Sequence, residues 1–85
     1  MTHEIKLRED YITAVKIGEK NFEVRFNDRG YQKGDFVRFI PISRCGITYV
    51  DDISARVYEI TYVHSGLGLE NGYVVFGIKE AESEG

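Results

Sequence analysis

Tryptophan is absent from the chain, and cysteine, proline and methionine each occur once. A single cysteine, Cys45, excludes an intramolecular disulfide and a multi-thiolate metal site and is in keeping with a reducing compartment. No apolar run approaches the roughly 18 residues of a membrane-spanning helix. The first residues, "MTHEIKL", lack a basic segment followed by an apolar one, so no secretory signal is expected and a cytoplasmic location is. Excess positive charge is missing too. A net charge of −3 excludes a dominant, non-specific grip on nucleic acid. There is no internal repeat and no low-complexity segment.

Bulk comes from six Tyr and five Phe within a 42% apolar composition. That suffices for one modest core, and 85 residues make one domain. Residues 1–79 are expected to form it, and the acidic "EAESEG" of residues 80–85 to fray. Charge is uneven: residues 1–38 hold eight of the eleven Lys and Arg, whereas residues 39–85 hold three bases against seven acids. An anion site is therefore expected in the first half.

Periodicity predicts the elements. "HEIKL" (3–7) alternates as a first strand. Over residues 8–17, Tyr11, Ile12 and Val15 recur at helical spacing, with Glu9 and Asp10 at the start and Lys16 near the end, as the helix dipole favours. Gly18 sits where a helix stops. "NFEVRF" (21–26) alternates, with Phe22, Val24 and Phe26 on an apolar face expected to be buried and Glu23 and Arg25 on the other. "NDRGYQKGD" is a loop. "FVRFIPIS" (36–43) is an apolar strand, placed by Pro41 at an edge or bulge. Residues 53–64 read as one long strand whose apolar face switches near 57–60 through a bulge. "SGLGLENG" reads as a flexible lip anchored by Leu67 and Leu69. "YVVFGIK" (73–79) is a central strand, apolar on both faces. The fold class that follows is α+β, mainly β: a small, open β-barrel with one short helix packed at an end, since closing a sheet removes exposed edges.

The stretch "GEKNFEVRFNDRGYQKGD" (18–35) concentrates the charge. On a strand, Glu23 and Arg25 stand about 6.5–7 Å apart at the backbone, close enough to pair with each other or to converge with Lys20 on one ligand. They form either an ion pair coating the barrel, which stabilises little, or a rigidly held cleft in which Lys20 and Arg25 meet an anionic or carbonyl group.

The octet "GEKNFEVR", with its Gly-x-Lys-x-x-Glu-x-Arg arrangement, resembles the signature of the activating signal cointegrator homology (ASCH) domain of the PUA-like superfamily of small β-barrels. The helix ending at Gly18, the "NDRGYQKGD" loop and the "GYVVFGIK" strand extend the similarity to a phage- and bacteria-associated branch of unknown function. The resemblance implies a PUA-like barrel that binds RNA or a nucleotide-like ligand through Gly18, Lys20, Glu23 and Arg25, with no cofactor. Lys20 and Arg25 would supply donors to phosphate or a base carbonyl, and Glu23 would accept from an exocyclic amine. Some small ASCH proteins are amidohydrolases of acetylated cytidine, with a catalytic lysine, a threonine and a distal glutamate. By that resemblance Lys20 and Glu23 are the catalytic candidates. The threonine position holds Glu23, however, and only Glu70 is available as the distal glutamate. A third alternative is a protein-interaction module.

Among the remaining residues, Arg29 extends the basic rim, and Tyr31 is a candidate for stacking a base or a core residue. Asp28 is expected to cap a turn, and Cys45 to sit beside one. His3 and His64 are isolated, so no metal site is expected.

Overall fold

Alternation in "THEIKLR" produces β1, Thr2–Arg8, with His3, Ile5 and Leu7 buried and the intervening residues exposed. The computed structural model describes residues 1–81. It continues with helix α1 (Glu9–Lys16), β2 (Phe22–Phe26), β3 (Phe36–Ile42), a 3₁₀ turn (Asp52–Ala55), β4 (Tyr58–Ser65) and β5 (Tyr73–Glu80). One five-stranded sheet results, in the order β1-β3-β4-β5-β2. β1 runs parallel to β3, and the other pairs are antiparallel. The architecture is mainly β with one short helix. No helix among the described residues is long and apolar enough to cross a membrane.

The expected barrel is corrected to an open sheet, of which β1 and β2 are the two edges. Three side chains and one local amide occupy carbonyls along the two edge strands. Arg25 Nη2 donates to the Lys6 carbonyl of β1, and Arg29 Nη1 donates to the Glu4 carbonyl at 2.8 Å. On β2, the Phe22 carbonyl accepts from Lys20 Nζ and the Phe26 carbonyl from the Asp28 amide. Edges covered in this way are poor templates for a further strand.

Val37, Phe39, Ile53, Ile60 and Phe76 are almost completely buried and form the centre of the core. α1 lays Ile12 and Val15 on it, with acids in its first turn and Lys16 in its last. Gly18, at φ +82°, turns the chain out of the helix; the left-handed region is open to glycine at no steric cost. Pro41 is tolerated inside the sheet because β4 pairs with β3 only at Phe36 and Val37, so no ladder partner needs its missing N–H.

Four further expectations are corrected. The long strand from Ile53 is a 3₁₀ turn followed by β4, because Asp51 accepts from the Ile53 amide and nucleates the turn. The bulge falls between Ile60 and Tyr62; Ile60 is buried before it and Val63 packs on the core after it. Leu67 is 91% exposed and anchors nothing. Glu80 belongs to β5 and the Ala81 amide donates to the Val57 carbonyl, so neither frays; the rest of the predicted tail, residues 82–85, lies outside the described residues.

His3, read as isolated, is buried with its Nε2 2.8 Å from Asp35 Oδ2, which ties β1 to the start of β3. This hydrogen bond, seconded by the Gln32 amide, holds the Asp35 carboxyl below its ordinary value of 3.8. A lowered acid stabilises the fold fully above its unfolded value and loses that stabilisation as pH falls through the folded one. The melting temperature is therefore expected to hold steady from neutrality to about pH 5 and to fall below pH 4. Asp35→Asn, followed by calorimetry, should flatten the acid limb.

Candidate functional site

Pairing with β5 sets which side of β2 faces the core. Glu23 lies opposite Phe76 and Arg25 opposite Val74, both buried, while Phe22 faces Gly77 and Val24 faces Val75. Glu23 and Arg25 thus point inward, and Phe22, Val24 and Phe26 stand 44%, 51% and 55% exposed. The face expected to be buried is the solvent face, and the charged face is the inner one. Paired strand residues share a face, so a shift of one residue would exchange the two sets.

Glu23 is 2% exposed. A carboxylate taken out of water without partners costs several kcal/mol; this one has two. Arg25 binds Oε1 through Nε at 3.0 Å and Nη2 at 2.6 Å, and Lys20 Nζ binds Oε2. Lys20 reaches that point because the chain leaves α1 at Gly18 and doubles back, with the Lys20 amide on the Ala14 carbonyl at 3.0 Å. Its Nζ also donates to the Phe22 carbonyl at 3.0 Å and lies 4.9 Å from the Tyr11 ring centroid and 5.2 Å from that of Phe22. The structure therefore brings Lys20, Glu23 and Arg25 together, with one negative charge between two positive ones.

The cluster lines a hollow of about 530 Å³ between α1, β2 and the end of β1. Lys6 and Arg8 add two cations, Tyr11 and Phe22 add rings, and Leu7 and Ile42 add apolar wall. Lys6, Arg8 and Tyr11 were not singled out in the sequence. By alternation Lys6 falls on the outer face of the first strand, Arg8 falls at the start of the helix expected over residues 8–17, and only the approach of β2 across the sheet opening makes them part of a site. The hollow combines several donors for an anion, ring faces for a planar group and one deeply placed acceptor.

The other candidates are placed as follows. Arg29 lines a neighbouring hollow of about 380 Å³ and caps the β1 edge. Gly18 is absent from the lining of the main hollow; it serves as the helix stop. Tyr31 is 5% exposed, its ring 4.8 Å from His3 and 4.7 Å from Phe76; it is a core residue, and its role as a surface stacker is corrected. Asn27 Oδ1, rather than Asp28, caps the turn by accepting from the Tyr31 amide at 3.0 Å. Glu70 lines separate hollows with Phe26 and Tyr73 or with Val24, so the glutamate that the hydrolase reading requires does not join Lys20. Cys45 is exposed, in the turn closed by the Gly46 amide on the Ser43 carbonyl. Among the described residues, no group of three or more His, Cys, Asp or Glu is placed to hold a metal ion.

Residues 2–78 match the model of a family described as a domain of unknown function, DUF3850. The chain belongs to the DUF3850 family. No curated protein matches it. In fold, this DUF3850 domain is similar to the crystal structure of the hypothetical protein PH0355: 17% identity over 95% of this chain and 100% of the other, with a TM-score of 0.63. At that identity the likeness concerns the fold alone, and the function of the DUF3850 site has to be argued from its own residues.

Proposed function

We propose that this DUF3850 domain binds RNA or a nucleotide-like ligand in the hollow beside α1, and that it is a divergent relative of the ASCH domains of the PUA-like superfamily. One observation carries the reading. The residues of the "GEKNFEVR" octet that would contact a ligand, Lys20, Glu23 and Arg25, meet on the wall of a cationic, ring-bearing hollow. A phosphate finds donors in Lys6, Arg8 and the outer side of Arg25. A planar base finds the rings of Tyr11 and Phe22, where stacking is tolerant of sequence. Buried Glu23 holds Lys20 and Arg25 in place at the wall of the hollow.

The acidic net charge and the small number of cations at the hollow imply few phosphate contacts. With about two phosphates neutralised, the affinity for a single strand should fall with salt at a slope of only about −1.4 on logarithmic axes. Fluorescence anisotropy with short labelled RNAs and mononucleotides tests this. Lys20→Ala should weaken binding at least tenfold while the protein remains folded by circular dichroism. The reading is overturned if no RNA or mononucleotide binds, or if Lys20→Ala binds as the wild type does.

A further inference from the structure

Most cations of this chain have a carboxylate beside them. Of the eleven Lys and Arg, Arg8, Lys16, Lys20, Arg25, Arg44 and Arg56 are in ion pairs. Lys6 and Arg29 are not, among the described residues, and they line one hollow of about 380 Å³. Arg29 spends only Nη1, on the Glu4 carbonyl, so the rest of its guanidinium fork is available to a planar or tetrahedral anion. Two acids, Glu4 and Asp28, also line this hollow. Arg38 stands opposite Glu4 in the β1–β3 ladder and offsets it; Asp28 has no such neighbour in the ladder.

This second hollow continues the main one. Lys6 and Arg25 line both. The main hollow takes Lys6 to Arg8 from β1 and Phe22 to Arg25 from the other side; the second takes Glu4 to Lys6 and Arg25 to Arg29. The two therefore lie end to end along the opening between β1 and β2, with the Arg25 bond to the Lys6 carbonyl at their junction. Arg8, Lys6 and the Glu4 carbonyl that carries Arg29 follow one another at alternate positions of β1, a step of about 6.6–6.8 Å. The two phosphorus atoms of a pyrophosphate share one bridging oxygen and stand much closer than that. Two phosphates on opposite sides of one sugar are separated by a chain of atoms long enough to span it.

We infer that the ligand carries a second phosphate, across a sugar from the first, and that Arg29 and Lys6 hold it in the second hollow. The inference rests on the nucleotide-binding reading of the main hollow and adds residues of its own, Arg29 as donor and Asp28 as the acid that limits affinity. A nucleoside 3′,5′-bisphosphate and one step of an RNA strand supply the same two phosphates, so both belong to the class. A nucleoside 5′-diphosphate does not, because its second phosphate cannot reach past the junction at Lys6 and Arg25 while the first stays beside Arg8.

Calorimetric titrations with a nucleoside 5′-monophosphate, its 5′-diphosphate, its 3′,5′-bisphosphate and a 5′-phosphorylated dinucleotide test this on the wild type, Lys20→Ala, Arg29→Gln and Asp28→Asn, with folding checked by circular dichroism. The bisphosphate is expected to bind about tenfold tighter than the monophosphate and the diphosphate. Arg29→Gln should remove that advantage and leave monophosphate binding unchanged, and should lower the salt slope for the bisphosphate from about −1.4 to about −0.7, one phosphate fewer. Asp28→Asn should tighten the bisphosphate by about threefold; no hydrogen bond of the Asp28 carboxylate is lost with it, since the structure shows only its amide bonded. A dinucleotide that matches the bisphosphate marks a strand as the ligand, and one that binds more weakly marks a small molecule; the subsite stands in both cases. If the monophosphate or the diphosphate binds as tightly as the bisphosphate, if only the dinucleotide gains, or if Arg29→Gln keeps the advantage or weakens the monophosphate equally, the second subsite is overturned while the main hollow stands. If no nucleotide binds, or Lys20→Ala changes nothing, the reading of the main hollow fails and the inference is overturned with it.

Discussion

Arg25→Ala is expected to lower the unfolding free energy by about 3 kcal/mol, at the low end of what breaking a buried ion pair costs. Glu23 is 3% exposed at its side chain, against 27% for Arg25 and 18% for Lys20, so the carboxylate is the group that cannot reach water. Without Arg25 it keeps Lys20 but loses two hydrogen bonds, and the β1 edge loses the donor on the Lys6 carbonyl. Glu23→Leu should behave differently. It removes the buried charge, and the two cations, nearer the mouth, can turn to solvent; a well-packed apolar replacement of a buried ion pair is often close to neutral. Chemical denaturation should therefore show Glu23→Leu within about 1 kcal/mol of the wild type. In that background, Arg25→Ala should cost less than about 1 kcal/mol. An equal cost in both backgrounds would show that Arg25 acts through the β1 edge and not through Glu23. Glu23→Leu should also abolish ligand binding, which separates the cost of holding the carboxylate from its use.

Tyr31→Ala should be the reverse case, with a large loss of stability and none of intrinsic affinity. The ring packs between His3 and Phe76, and deleting a buried aromatic side chain costs about 3–5 kcal/mol through lost transfer energy and the cavity left behind. A domain of this size has on the order of 5–10 kcal/mol in total. The variant should melt far below the wild type, and titrations at low temperature, where it is still folded, should return the wild-type dissociation constant. A specific loss of RNA affinity at full stability would show that Tyr31 reaches the ligand after all. The hydroxyl's tendency to ionise is lowered by burial, which pushes its pKa up, as suits a residue of the interior.

The sequence misreads β2 and leaves Tyr31 open between two roles, for different reasons. In "NFEVRF", period-two alternation separates two sets of residues but is symmetric between them, and hydrophobicity favours Phe22, Val24 and Phe26 for the core. The ladder with β5 decides otherwise, since Glu23 is the partner of Phe76 and Phe22 the partner of Gly77. A buried glutamate is tolerated because Lys20 and Arg25 travel with it, and that pattern was legible: a carboxylate flanked at −3 and +2 by cations. Tyr31, in a loop of polar residues, has no periodicity to reveal that it folds onto the core. The His3–Asp35 pair, 32 residues apart, had no local signal at all.

Local physics was enough to specify much of this chain. A helix ends at Gly18 because the sequence supplies a charge-matched eight-residue amphipathic segment and then a residue free to adopt positive φ. The first strand, β2, β3 and β5 follow from their alternation or apolar runs, and Lys20, Glu23 and Arg25 are neighbours by spacing alone. Long-range pairing decided the rest. It left the sheet open where a barrel was expected, it bridged the opening with Arg25 and Arg29, and it turned the charged side of β2 inward and the phenylalanines out. Those outcomes depend on register against a strand some 50 residues away, where a one-residue difference reverses every side chain, and no window of the sequence contains that information.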